Sequence, residues 1–491
     1  MAIQHLQRFK IESQLVKPFS PLFFFSSSSS TTTTTSNDDT KTQTLISILT
    51  HQRSKSRWNA LRSLCPNGID PIQFSQITLQ LKNNPHLALR FFNWTQSNSI
   101  CHHTLSSYST IIHLFARARL YKHAYHTIRI AIRTSEYDDE HCRFDSPPLN
   151  LFETLVKTYQ RCGSSPFVFD LLTKACLESK KLDPSIEIVR MLLSRGISPK
   201  VTTLNSLIFR VCKSRGFDAG YAIYREIFRL DRSKCEISKR GSGFKVNPNV
   251  HTYNELMLCC YQDALFEKVG EIWNEMECAR NAYSYTLMMA SLCDEGRVED
   301  AEKLWEEMRN EGIEPDVISY NTMMGGFCRI GDVGRAEEFY REMTSGGIES
   351  TASTYDHLVN GYCIIEDVDS AVLVYKDMYR KDFCPVASTL DAMTSLLCDK
   401  GRGKEALKLV RNAIGKFGLV PKGNSYEVLI KGLCAEGRVE EAFKVQAEMV
   451  GKGFQPNSEI YGAFIDWHVR QGNEELAGAL REEMLQTQIQ S

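Results

Sequence analysis

From Ala282 the chain reads AYSYTLMMASLCDEGRVEDAEKLWEEMRNEGIEPD and from Val317 it reads VISYNTMMGGFCRIGDVGRAEEFYREMTSGGIES, so residues of the same kind recur 35 apart. Inside each copy an apolar stretch, Tyr320 to Cys328 in the second, meets a breaker at Gly331. A second amphipathic segment follows, Val333 to Met343, and ends in Gly346 and Gly347. That order predicts a helix, a tight turn, a second helix and a glycine-rich exit. Ser284, Ser319, Thr354, Thr389 and Ser425 stand where the first helix of each unit begins and are expected to act as its N-caps.

Further units begin at Ala352, Ala387, Gly423 and Ser458. Upstream the pattern continues with defects. Pro166 to Lys200 fits one unit, and Val201 to Asn249 fits another carrying about 14 extra residues, roughly Asp231 to Val246. That excess holds Arg232, Lys234, Lys239, Arg240 and Lys245 and is expected to be an exposed basic loop, either a solvated insertion or an RNA contact. The unit from Val250 to Asn281 is three residues short, a loss assigned to its exit turn. Leu149 to Ser165 reads as a lone first helix, Leu105 to about Asp139 as a weaker full unit, and Ile46 to Ser99 as a helical cap.

A helix pair cannot bury its apolar face alone, whereas stacked pairs can. The expected fold is therefore all-α, a right-handed superhelical solenoid of stacked helix-turn-helix repeats of about 35 residues with a long concave surface. The expected organisation is a disordered leader over residues 1–40, a helical capping region over 41–104, degenerate repeats over 105–165 and about nine tandem units over 166–491.

The period also accounts for the cysteines. Cys293, Cys328, Cys363 and Cys398 lie 35 apart, and Cys212 and Cys434 hold the same place in their units. Zinc ligands must converge within a few ångströms, whereas equivalent positions in successive repeats stand a repeat width apart, so these read as reduced, small core residues and no metal is expected. Ala301, Ala336, Ala371, Ala406, Ala442 and Ala477 mark close helix packing, and Met276, Met308, Met343, Met378 and Met449 read as core filler.

Composition adds three points. With 42% hydrophobic residues and Lys+Arg 58 against Asp+Glu 59, the chain has the make-up of a soluble protein without the basic excess of many nucleic-acid binders. No apolar run is long enough to cross a bilayer, so no membrane role is expected. The leader, in contrast, carries Arg8, Lys10 and Lys17 against Glu12, then Phe23 to Phe25 and an unbroken Ser/Thr tract from Ser26 to Ser36. Basic, hydroxyl-rich and acid-poor is the profile of an organelle transit peptide, mitochondrial in the first place with a plastid as the alternative.

Taken together, PDVISYNTMMGGFCRIGDVGRAEEFYREM and GNSYEVLIKGLCAEGRVEEAFKVQAEMVGKGFQPN resemble the pentatricopeptide repeat, over about Leu105 to the C-terminus. Phe91, Phe92, Asn93 and Trp94 resemble the leader of the plant organellar members. The resemblance implies single-stranded organellar RNA as partner, one base per repeat, read by two side chains: the residue after the aromatic of the first helix and the last residue of the unit. Carried over, the pairs are Asn205 with Asn249, Asn254 with Asn281, Thr286 with Asp316, and Asn321 with Thr351. They imply a 5′-pyrimidine-pyrimidine-G-pyrimidine core with C preferred at the first two places, and Ile318 is a side chain that could pack on a base face. Asp170 with Lys200, Asp356 with Val386, Asp391 with Lys422, Glu427 with Asn457, and Gly462 do not match.

No C-x-x-C, H-E-x-x-H, G-x-S-x-G or phosphate-binding G-x-x-x-x-G-K-[ST] sequence is present, and His102-His103 and His123 with His126 read as surface residues of the N-terminal helices. The expectation is a monomeric RNA clamp with no catalysis and no cofactor, working with protein partners in RNA processing. The alternative is an adaptor whose groove holds a protein.

Overall fold

The computed structural model describes residues 36–51, 54–134, 146–228 and 246–490, and among them forms twenty-five α-helices and no strand. The basic stretch from Arg232 to Lys245 lies outside the described residues, as does the leader up to residue 35. The chain divides into two compact units, Met1–Leu114 and Phe115–Ser491.

The first unit begins with Ser36–His51, so residues 36–40, expected to belong to the leader, are instead the opening of a helix that buries Leu45 and Leu49. Ser54–Leu64, Pro71–Gln80 and Pro85–Ser97 follow. Proline opens each of the last two, where a missing N–H costs nothing, and Asp70 and Asn84 cap them through Ile72 N–H (2.9 Å) and Leu87 N–H (3.1 Å). Phe91 stacks on Phe74 at 5.3 Å. His103 corrects the surface reading: it lies just ahead of the helix Leu105–Arg117, buried edge-on to Phe74 at 4.5 Å with its Nε2 3.1 Å from Thr95 Oγ1. Burial pushes its imidazole down to about 4, so it is neutral at physiological pH.

The second unit holds nine consecutive helix pairs from Phe167 to Gln490, each first helix packed on its own partner and on the next first helix. The pairs that matter below start with the first helices Val201–Arg215, Val250–Gln262, Ala282–Asp294, Val317–Arg329, Ala352–Ile364 and Ala387–Asp399. The periodic alanines and methionines are all buried except for traces, none above 7% exposed. Ahead of these pairs, Pro147–Cys162 is not a lone first helix. It packs on both Phe167–Glu178 and Leu182–Ser194, with Phe152 against Phe169 at 5.6 Å and Glu153 paired with Arg195 at 2.8 Å, while Tyr121–Thr134 supplies the neighbour to the first of these. The short unit is also short in a different place. Its second helix, Phe266–Glu275, has 10 residues where Val298–Asn310 has 13, so the lost residues are the helix's last turn.

A cysteine–glycine contact sets the approach of successive first helices. A Cβ on Gly326, Gly361 or Gly432 would stand 2.4, 2.6 or 2.5 Å from Sγ of Cys293, Cys328 or Cys398, so each sulfur fills the space a side chain would need. Burial pushes the Cys293, Cys328 and Cys398 thiols up to about 12. Such thiols are inert, and among the described residues no group of His, Cys, Asp or Glu could hold a metal.

Many charges are tied up between repeats. Arg190 grips Glu226 through two bonds of 2.7 and 2.8 Å, and Arg309–Glu342, Arg402–Asp369, Lys400–Glu366 and Lys431–Glu459 join residues of successive units. These exposed pairs are screened by solvent and contribute little to stability, but they account for charge of both signs along the same edges.

Candidate nucleic-acid interface

The last residue of each unit is also the N-cap of the next first helix. Asn249, Asn281 and Asp316 have extended backbones and side chains that accept from the N–H groups of Thr252, Ser284, and Ile318 with Ser319. The caps are therefore these residues and, in the same place, Thr351, Val386 and Lys422, not the Ser and Thr three positions on. Those hydroxyls sit at N3, where Thr252, Ser284 and Thr354 reach back to the cap's own N–H (3.1, 3.3 and 3.0 Å) and close a capping box.

The residue after the aromatic reaches across the repeat boundary into this cap, so each expected pair is brought together. Asn254 Nδ2 donates to Asn281 Oδ1 at 3.2 Å, and Ser284 Oγ donates to Asn254 Oδ1 at 2.7 Å. Asn321 Nδ2 donates to Thr351 Oγ1 at 3.2 Å, and Thr354 Oγ1 donates to Asn321 Oδ1 at 2.8 Å. Thr286 meets Asp316 through Ser319: its Oγ1 is 2.8 Å from Ser319 Oγ, which lies 2.9 Å from Asp316 Oδ1. Asn205 lies within 3.3 Å of Asn249 Oδ1, and exchanging its amide ends gives a better-satisfied orientation, with Nδ2 donating to the Val201 carbonyl (3.1 Å) and Thr252 Oγ1 (2.8 Å).

Counting lone pairs and hydrogens shows what is left over. Both lone pairs of Asn281 Oδ1 are filled, by Ser284 N–H (3.0 Å) and Asn254 Nδ2 (3.2 Å). What remains is the Nδ2 of Asn281 and the second hydrogen of Asn254 Nδ2, a donor edge. Asp316 differs. Its Oδ1 accepts from Ile318 N–H (3.1 Å) and Ser319 N–H (2.9 Å), which leaves Oδ2 of an exposed carboxylate, an acceptor edge. The first members are almost closed off, Asn254 at 3% and Thr286 at 6% exposed, so the cap residues carry the open face. His251, Tyr283 and Ile318 occupy N2 of successive first helices, beside these edges, and Ile318 is 39% exposed.

The pairs outside the expected pattern do a different job, one that spacing alone did not reveal. Lys200 and Val386 cannot cap with their side chains, and there Asp170 and Asp356 of the preceding first helix accept the cap N–H instead, at 2.8 and 3.2 Å. Thr203 and Thr389 bond the same carboxylates. Ser425 Oγ donates to Asp391 beside Lys422, which likewise has no side-chain cap. Burial holds the Asp170 and Asp356 carboxyls above their usual range despite these bonds. Further on, Asn457 donates to Glu427 at 2.7 Å, and a polar cleft between the last two first helices is lined by Lys431, Glu459, Gly462, Asp466 and Arg470.

The repeats have counterparts among known proteins. Models described as PPR repeat family match residues 280–329, 315–364 and 421–459, and one described as PPR repeat matches 353–383. A pentatricopeptide repeat-containing protein of Arabidopsis thaliana is 49% identical over 449 residues, 90% of this chain and 89% of the relative. Another Arabidopsis thaliana pentatricopeptide repeat-containing protein, named as mitochondrial, is 25% identical over 46% of this chain and 32% of its own length. Among solved structures, the pentatricopeptide repeat protein PPR10 in complex with an 18-nt psaJ RNA element aligns with 90% of this chain and 67% of its own, at 15% identity and a TM-score of 0.49.

Proposed function

This chain belongs to the pentatricopeptide repeat family, and from that premise we propose that it holds a short stretch of single-stranded organellar RNA by reading one base with each of four consecutive repeats. The observation that carries the reading is the set of leftover hydrogen-bonding edges at Asn249, Asn281, Asp316 and Thr351. They recur once per repeat and differ in character, with a donor left at Asn281 and an acceptor at Asp316. The donor edge of Asn281 suits cytosine, whose N3 and O2 are adjacent acceptors, better than uracil, whose N3 carries a hydrogen. The free carboxylate oxygen of Asp316 suits guanine, whose N1–H and N2–H are adjacent donors. These are Watson–Crick edges, occupied in a duplex, so the target is single-stranded. In chain order this supports 5′-C-C-G-pyrimidine for the pairs Asn205–Asn249, Asn254–Asn281, Thr286–Asp316 and Asn321–Thr351.

The reading ends where Asp356 takes over the cap. Acids at Asp356, Asp391 and Glu427 offer no such edge and repel phosphates, so the C-terminal repeats extend and hold the scaffold. Bound along the four reading repeats, an RNA segment is kept unpaired and shielded from nucleases, which is how a protein without catalytic groups of its own would act in transcript stabilisation, end processing, splicing or translation. The basic, hydroxyl-rich leader and relatives named as mitochondrial support a mitochondrial site of action.

The test is selection of RNAs from a random single-stranded pool by the full chain at fixed salt, beside Asn281→Asp. Enrichment of C-C-G-pyrimidine is expected, and the variant should move the second position from C to U, because the carboxylate accepts from uracil N3–H. A pool that shows no enrichment, or a variant with unchanged preference, would overturn the reading in favour of a protein-binding groove.

A further inference from the structure

Charge is unevenly placed along this chain. Between Asp70 and Glu136 there are seven Lys and Arg and no acid, although the formal total for the whole chain is -1. Elsewhere cations and carboxylates meet across repeat boundaries, as Arg309 and Glu342 or Lys431 and Glu459 do.

Part of the acid-free stretch forms a cationic stripe. In the helix Tyr121–Thr134, the residues Lys122, His126, Arg129 and Arg133 follow one another at intervals of four, three and four, which keeps them within about 60° of arc. All four are exposed, directly opposite the face that buries Ala124, Thr127, Ile128, Ala131 and Ile132. A solvated face does not need one sign of charge. The exposed side of Val298–Asn310, for comparison, mixes Glu299, Lys303, Glu306 and Arg309. Arg129 and Arg133, one turn apart, repel each other. Among the described residues, Lys122, Arg129 and Arg133 have no carboxylate within ion-pairing distance, and Glu178 of the adjacent helix Phe167–Glu178 accepts from the Tyr125 hydroxyl instead.

This helix stands upstream of the reading repeats. Its Tyr121 meets Phe167 edge-on at 4.5 Å, and Phe167–Glu178 packs in turn on Val201–Arg215, which carries Asn205. Two such helix-to-helix steps span about 20 Å. Resting on the RNA reading above, we propose that the stripe binds the phosphates of the RNA segment on the 5′ side of the read core, without regard to sequence. Its side chains rise along the helix by about 6, 4.5 and 6 Å, comparable with the spacing of successive phosphates on an extended strand, and each guanidinium can take two phosphate oxygens at once. The positive charge that a near-neutral chain lacks overall is thereby gathered where the 5′ flank leaves the first reading pair.

The experiment measures the Kd of the full chain over a range of salt for two labelled RNAs, CCGU with about six adenosines on its 5′ side and CCGU with them on its 3′ side. Alongside are the triple change Lys122→Gln, Arg129→Gln and Arg133→Gln, and a control, Lys404→Gln, Lys408→Gln and Lys444→Gln, which removes the same charge from exposed positions of later second helices. The wild type should bind the 5′-extended RNA more tightly, with a slope of log Kd against log salt steeper by about 2 than for the other RNA, at about 0.7 for each of three cations. The stripe variant should lose both the preference and the extra slope, and should melt no lower than the wild type because its changed side chains are exposed. The control should keep both. A wild type that does not distinguish the two RNAs, or a stripe variant that still does, overturns the role of the stripe, leaves the RNA reading standing and points to an acidic protein surface as the partner. A control that loses as much as the stripe variant reduces the effect to net charge and overturns it as well. Failure to bind either RNA overturns both readings.

Discussion

The division between reading and stapling repeats can be tested by converting one into the other. Asp356 and Val386 follow directly after the last reading pair, and the double change Asp356→Asn with Val386→Asn gives this joint the side chains of Asn254 and Asn281. At present the Val386 N–H depends on Asp356 Oδ1 at 3.2 Å, and Val386 supplies no cap of its own. The asparagine introduced by Val386→Asn would accept from Thr389 N–H, as Asn281 accepts from Ser284 N–H at 3.0 Å, adding a cap interaction of about 1 kcal/mol. Val386 is 49% exposed, so its removal costs less than about 1 kcal/mol of burial, and a desolvated carboxylate disappears as well. The fold should thus be unchanged or slightly more stable. The new donor edge should read a fifth base, and one added base contact of about 1.4 kcal/mol is a tenfold gain in affinity. Fluorescence anisotropy with RNAs ending CCGUC and CCGUA checks this. The variant should prefer the first about tenfold and the parent should not discriminate. A variant that melts at least as high as the parent yet binds both RNAs equally would refute the assignment of the leftover edge as the reading element.

Three other outcomes follow from the packing. Gly326→Ala should cost about 1–3 kcal/mol, read as a lower melting temperature, because its Cβ would stand 2.4 Å from Cys293 Sγ, and Cys293→Ala in the same chain should restore most of the loss. Ala264→Gly should stabilise the chain by roughly 0.5–1 kcal/mol in a denaturant titration, since Ala264 sits at φ 56 where only glycine is unstrained and a turn elsewhere filled by Gly331 at φ 83 is made. Asp170 and Asp356 titrate above 3.8 in the folded chain, so the fold binds their protons more tightly than the unfolded chain does. The stability they contribute is full below that value and is lost as the pH rises through the folded values. The slope of melting temperature against pH in that window should shrink in Asp170→Asn with Asp356→Asn.

Much of this was legible in the sequence because a repeat presents the same evidence many times. The period located the helix pairs, and the cysteines, alanines and methionines in register are where the core is. What stayed hidden depends on contacts across the repeat boundary. Ser284 and its equivalents look like N-caps because a capping box needs a hydroxyl or carboxylate at both ends, and only the backbone tells N-cap from N3. The true cap, written as the last residue of the preceding unit, falls outside any single-helix pattern. Asp170 and Asp356 looked like failed reading residues for the same reason, since their partner is a backbone N–H that spacing does not reveal. The missing turn of Phe266–Glu275 reads as a shortened loop because a deletion shifts every later residue and leaves no mark of its own. His103 reads as surface in the sequence because Phe74, which encloses it, lies in a different helix.

The sharing of atoms between cap and base has a consequence for how these repeats can vary. On the proposed reading Asn281 satisfies Ser284 N–H and offers its Nδ2 to a base, so the side chains suited to this position are drawn from those able to cap: Asn, Asp, Ser and Thr. On the same reading, a repeat that abandons the cap, as at Lys200 and Val386, also abandons the edge offered to a base, and an aspartate one helix earlier restores only the joint. Fold and recognition are, on that reading, coupled at both residues of each pair, since Asn254 too is buried and bonded across the boundary. An alanine at Asn281 removes a cap worth about 1 kcal/mol together with the base contact, and its effect on RNA cannot be told from loosening of the joint. Exchange of Asn for Asp keeps the cap, reverses the free edge from donor to acceptor, and is for that reason the substitution that isolates recognition.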